Sequence, residues 1–132
     1  MKKTGSTSDF MVERDRDLHR SFMEVLRTSR APLREMFGMA ARRTSRRFWV
    51  SEERAAIVVG AMLRGETDEK MIPKRREMFE EILRRVKRRM DSEPGLCMTH
   101  AVAAVVHEAA PEFYLTDESA RSIIYRIRRK RR

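Results

Sequence analysis

Apolar residues recur at three- and four-residue intervals along most of the chain, interrupted by short polar breaks, and that rhythm predicts helices throughout. From about 9 to 29, Met11, Leu18, Phe22, Val25 and Leu26 make one stripe of an amphipathic helix. Pro32 suits the first position of a second helix, whose face carries Leu33, Met36, Phe37 and Ala40. Ser51 is an N-cap, Glu52 and Glu53 favour the positive end of the helix dipole, and Gly65 ends a third helix over roughly 52 to 64. That helix is apolar nearly all round, which predicts a central position with burial on several sides. After a loop from Glu66 to Ile72, Pro73 opens a fourth helix marked by Phe79, Ile82, Leu83, Val86 and Met90. The Asp91-Ser92-Glu93-Pro94-Gly95 run is the strongest breaker. A fifth helix from about Met98 to Ala109 shows Val102, Val105, Val106 and Ala109 on one side. A sixth begins after Thr116, with Ala120, Ile123, Ile124 and Ile127 as its buried stripe.

Shifting the chain by 65 residues (113 − 48) lays Phe48-Trp49-Val50-Ser51-Glu52-Glu53-Arg54-Ala55 over Phe113-Tyr114-Leu115-Thr116-Asp117-Glu118-Ser119-Ala120, with matching chemistry at seven of eight positions. Each copy has a helix before and after it, which predicts a repeated two-helix unit. Over 36 to 64 against 101 to 129 only four of 29 positions are identical, so convergence stands beside duplication. Val50 and Leu115 precede the caps as hydrophobic staples, and Trp49 and Tyr114 are expected to pack as structural pins rather than to stack on bases.

The 132 residues suffice for one core, so the fold class is an all-α, single-domain bundle of about six helices. Residues 1 to 8 form a disordered tail, 9 to 127 the helical domain and 128 to 132 a basic extension. Charged residues make up 38% of the chain, above the usual quarter, which predicts a densely ionic surface. Lysine and arginine number 30 against 20 acids, a formal charge of +10 that attracts polyanions by counterion release. No apolar run approaches the length of a membrane span, and no signal-like segment opens the chain. A cytoplasmic location follows, nucleoid-associated in a bacterium or nuclear in a eukaryote. The single cysteine, Cys97, is expected to be a packed core residue.

Enzyme signatures are missing: His19, His100 and His107 lack metal-ligand spacing, and there is no phosphate loop, nucleophile elbow or Cys-x-x-Cys. Neither cofactor nor metal is expected. Basicity, by contrast, is localised. Residues 121 to 132 hold seven basic side chains and no acid, and 42 to 47 hold four and none. With the apolar stripe turned inward, Ser122, Tyr125 and Arg129 lie on the outer face of the last helix, flanked by Arg121 and Arg126. Together with the preceding helix, residues 98 to 127 resemble a helix-turn-helix, which implies a second helix entering the major groove of DNA. The connection from Ala110 to Thr116 is about seven residues, longer than the three or four of the tight motif. Arg128, Arg129, Lys130, Arg131 and Arg132 would contact phosphates, and Arg42, Arg43, Arg46 and Arg47 form a secondary contact. The fourth helix is also arginine-rich, but Glu77, Glu80 and Glu81 are spaced to neutralise it.

The sequence thus predicts a small regulator or architectural factor that binds duplex DNA in preference to RNA. Two rivals remain: a helical assembly subunit or homo-oligomer, favoured by ten methionines and the apolar third helix, and RNA binding through the arginine-rich end.

Overall fold

The computed structural model describes residues 7–66 and 68–130, with side-chain surroundings from residue 10 onward. Six helices and no strand occur among them: α1 (Thr7–Thr28), α2 (Leu33–Ala41), α3 (Glu52–Leu63), α4 (Pro73–Ser92), α5 (Met98–Val106) and α6 (Asp117–Lys130). No described helix is long and apolar enough to cross a membrane. The end of the expected N-terminal tail is helical, since α1 already includes Thr7 and Ser8. Residues 1–6, Arg131 and Arg132 lie outside the described residues.

The helix ends follow local chemistry. The Ser51 hydroxyl accepts a hydrogen bond from the Arg54 amide at 3.0 Å, and Thr116 accepts one from the Ser119 amide at 3.1 Å, satisfying donors left open at the starts of α3 and α6. Gly65, at φ 81°, supplies the left-handed turn after α3. Two boundaries differ from the pattern: α4 runs through Asp91 and Ser92 before Pro94 stops it, and α5 ends at Val106 because the chain must turn toward the crossing described next.

The helices pack as two three-helix units that have exchanged one member. α1 and α2 pack with α6, while α4 and α5 pack with α3. The first core joins Leu18, Phe22 and Val25 to Phe37, Ala40, Phe113, Ile123 and Ile124. The second joins Phe48, Val58 and Val59 to Phe79, Ile82, Val86, Val102 and Val105. The segments 42–51 and 107–116 therefore cross. At the crossing Ser45 and Ala110 exchange two backbone hydrogen bonds of 2.9 Å, an isolated antiparallel bridge between positions 65 apart (110 − 45). The next bonds obey the same offset: the Phe48 amide donates to the Val106 carbonyl at 3.0 Å, and the Phe113 amide to the Ala41 carbonyl at 2.8 Å. An approximate two-fold axis relates the halves through this bridge.

The offset of 65 also carries α2 onto α5 with identical boundaries and the start of α3 onto that of α6. The repeat is thus three helices long, one more than the sequence echo indicates. Two expectations are corrected by this arrangement. The helices at 98–127 do not form a packed pair, because the seven-residue connection carries α6 away from α5 and onto α1 and α2. Nor is α3 central: Ile57 is 58% exposed and Leu63 43%, since the helix rests on α4 and α5 alone.

Candidate nucleic-acid interface

α6 lies on the surface with Ala120, Ile123 and Ile124 buried beneath it. Its helical rotation leaves Arg121, Ser122, Tyr125, Arg126, Arg128, Arg129 and Lys130 exposed. Tyr125 anchors this face. Its ring tilts against Phe37 at 5.4 Å, Phe37 stacks on Phe22 at 5.2 Å, and the guanidinium groups of Arg121 and Arg128 sit over Tyr125 and Phe22 at 5.5 and 5.8 Å. A ladder of three rings from three helices thus holds two arginines by cation–π attraction. Arg126 is tied to Asp15 at 2.7 Å. No carboxylate pairs with Arg121, Arg128, Arg129 or Lys130 among the described residues.

The arginines of the crossing segment are held differently. Asp17 on α1 is buried, and one of its carboxylate oxygens accepts from Arg20 at 2.6 and 2.9 Å. Its other oxygen accepts from the Arg46 amide at 2.8 Å and faces the buried Ser45 hydroxyl at 3.3 Å. Arg46 projects outward, with its side chain 75% exposed. Arg47 turns inward, donating to the carbonyls of Phe48 at 2.9 Å and Val50 at 2.8 Å and stacking on Phe10 and Trp49. Burial lowers its pKa from the ordinary arginine value, against the pull of Glu13 and Glu52. Its guanidinium is a strut of the crossing. Arg42 bonds Asp117, the first residue of α6, at 2.9 Å, so this member of the crossing cluster reaches the basic helix. Gly38 allows that approach, since a Cβ there would lie 2.4 Å from the Asp117 carboxylate. Arg43 is exposed and has no ion pair among the described residues.

On α4 half of the cations are paired, while Arg75, Arg76, Lys87 and Arg88 have no ion pair among the described residues. Arg84 pairs with Glu81, Arg85 with Glu81 and Glu108, Arg89 with Glu108, and Lys74 with Glu77 and Glu112. Trp49 and Tyr114 are partly buried against the cores, and Phe48 stacks on Tyr114 at 6.3 Å. Cys97 is exposed at the start of α5, at the edge of the helix rather than in the core expected for it. No three His, Cys, Asp or Glu side chains converge as a metal site among the described residues.

The sequence pattern missed Arg16 and Arg20, which line the clefts beside the crossing. A signal for Asp17 was present: it and Ser21 lie four apart on the stripe of Leu18, Phe22 and Val25, and a charge on a buried stripe implies a partner. No protein-family model, curated protein or solved structure matches the chain.

Proposed function

We propose that this protein binds duplex DNA through the exposed face of α6, as a small regulator or architectural factor. The observation that carries the reading is charge segregation. Acids are interspersed along α4 and pair with Arg84, Arg85 and Arg89, though not with Arg75, Arg76, Lys87 or Arg88, whereas from Arg121 to Lys130 α6 carries five cations and no acid, and only Arg126 among them is paired. Unneutralised cations on a rigid helix release counterions when they meet phosphates, and Arg129 and Ser122 are placed on the side facing away from the core.

Removing residues 121–132 would strip Ile123 and Ile124 from the core, so the test uses exposed substitutions. Binding of the full chain to a duplex is titrated against salt. Arg121→Ala with Arg129→Ala should lower the slope of log K against log salt by about two, since each phosphate left without its cation takes away roughly 0.9. Arg84→Ala with Arg89→Ala on α4 should leave it unchanged. Equal slopes for all three proteins would remove α6 from the interface, and tighter binding to single-stranded RNA would favour RNA instead.

A second reading, self-assembly, is supported by the exposed Ile57, Leu63 and Ile72 beside a cleft lined by Met62, Met71 and Phe79. The charges there, Arg54 and Arg76 against Glu66, Asp68 and Glu80, are mixed in sign, so the surface suits a second copy of itself. Ile57→Ser should convert a dimer to a monomer by mass measurement while stability changes by less than about 0.5 kcal/mol. A monomeric wild type at high protein concentration would discard this reading.

A further inference from the structure

The crossing of the two linkers builds a feature that α6 alone does not explain. Two open clefts, of about 500 and 580 Å³, adjoin there and share Arg20 and Arg46. The first adds Arg42, Arg43 and Thr44, and the second adds Arg16 and His107. At roughly 30 Å³ per water, either has room for a phosphodiester with part of its hydration shell. The acids lining them are Glu13 and Asp17. Asp17 is a positioning residue: its side chain is 1% exposed, and its oxygens are taken by Arg20, Ser45 and the Arg46 amide. Arg20 is thereby fixed at the mouth of the clefts by a carboxylate that a ligand cannot contact, and the same carboxylate holds the backbone of Arg46, whose guanidinium stays exposed with its Nε 3.9 Å away. Arg16 and Arg43 are exposed without ion pairs among the described residues.

We propose that these clefts form a second, preorganised site for the phosphate backbone of the same duplex that α6 contacts, an inference that rests on the DNA-binding reading. Position selects this ligand over a free anion. Arg42 lines the first cleft and bonds Asp117, so the clefts adjoin the start of α6, where Asp117 and Glu118 stand between them and the cations that begin at Arg121. From Asp117 to Arg129 is twelve residues (129 − 117), about 18 Å of helix. Each strand of duplex DNA carries one charge per roughly 3.4 Å of its axis, so a backbone following the helix passes about five phosphates before reaching the clefts. Phosphate contacts of this type fix register and orientation and carry no sequence information.

The test is a salt titration of duplex binding by the full chain, with wild type, Arg16→Glu/Arg43→Glu and the milder Arg16→Gln/Arg43→Gln, all checked for helicity and mass. The glutamine pair should weaken binding several-fold and lower the salt slope by about two, and the glutamate pair should weaken it further. Binding and slope within twofold of wild type for both pairs would overturn the second site while leaving the α6 reading intact. Failure of the wild type itself to bind duplex DNA at low salt would overturn both. Loss confined to competition by free phosphate, with duplex affinity unchanged, would reassign the clefts to a small anion and also overturn the proposal.

Discussion

α3 and α6 occupy equivalent places in the two halves and differ on one side only. Each follows a crossing linker, starts from a hydroxyl cap, carries two acids in its first turn and docks on the opposite half. Their buried stripes match position for position: Ala55 with Ala120, Val58 with Ile123, Val59 with Ile124. Their outer sides do not. Where α3 has Ile57, Ala61 and Leu63, α6 has Ser122, Arg126 and Arg128. Packing constrains the inner stripe because a misfit there leaves a cavity or a clash. Solvent imposes no such demand on the outer face, which is free to take up an interaction. The apolar outer face of one helix and the cationic face of the other are therefore the places where the halves differ in what they can bind.

The largest test of the equivalence is the pair of phenylalanines that lead the chain out of the crossing. Phe48 is 1% exposed in one core and Phe113 4% in the other, and their amides make related hydrogen bonds. Phe48→Ala and Phe113→Ala should each cost about 3–5 kcal/mol, a large fraction of a small domain's stability. Chemical denaturation reads this directly. A severe loss at one position with less than about 1 kcal/mol at the other would break the two-fold equivalence.

The two crossings are not locked alike, and the difference gives an intermediate effect. On the first, the buried Asp17 holds Arg20, the Ser45 hydroxyl and the Arg46 amide, while Arg20 also reaches the Thr44 carbonyl at 3.5 Å. On the second, the residue 65 further on is Ile82, and Arg85 takes over with 2.9 Å to the Ala109 carbonyl and 3.0 Å to Glu108. Asp17→Ala leaves buried donors unpaired and should cost about 1–3 kcal/mol, whereas Arg85→Ala removes partly exposed bonds and should cost about 0.5–1.5 kcal/mol. Equal losses in thermal melts would show that burial of the carboxylate adds nothing to the lock.

How much of this was legible varies with the physics behind each feature. Helix periodicity, the caps at Ser51 and Thr116, and the likeness of 48–55 to 113–120 are local and stand in the residues themselves. The all-α, six-helix architecture follows from them. The exchange of α3 and α6 does not, because a helix docked on its own half and one docked on the other half can bury the same stripe in the same way. Only the path of the linker differs, so the seven residues before α6 read as a loosened helix-turn-helix connection. The apolar circumference of α3 misled for a related reason: Ile57 and Leu63 promise burial, and nothing within the described residues covers them. On the basic helix, periodicity placed Ser122, Tyr125 and Arg129 outward, but the attachment of Tyr125 to Phe37 and the reach of Arg42 to Asp117 depend on α2. The inward turn of Arg47 likewise depends on Phe10 and Trp49, which lie far from each other in sequence.

The smallest effect separates Trp49 from Tyr114, the aromatic pair just past the crossing. Tyr114 adopts φ 57°, a left-handed conformation that non-glycine residues rarely take, and Trp49 does not. The Tyr114 ring is nonetheless retained over the second core, against Phe48. Burial pushes its phenol above the ordinary value of 10.0, with Glu112 adding to the rise. The folded state therefore holds this proton more tightly than the unfolded chain. That contribution is fully present below the ordinary tyrosine value and is lost as pH climbs through the raised one. Melting temperature should fall more steeply from pH 9 to pH 11 in the wild type than in Tyr114→Phe, which keeps the ring and has no proton to lose. Parallel curves would mean that the phenol is as well solvated in the folded protein as in the unfolded one, and that the two aromatic positions differ in backbone conformation alone.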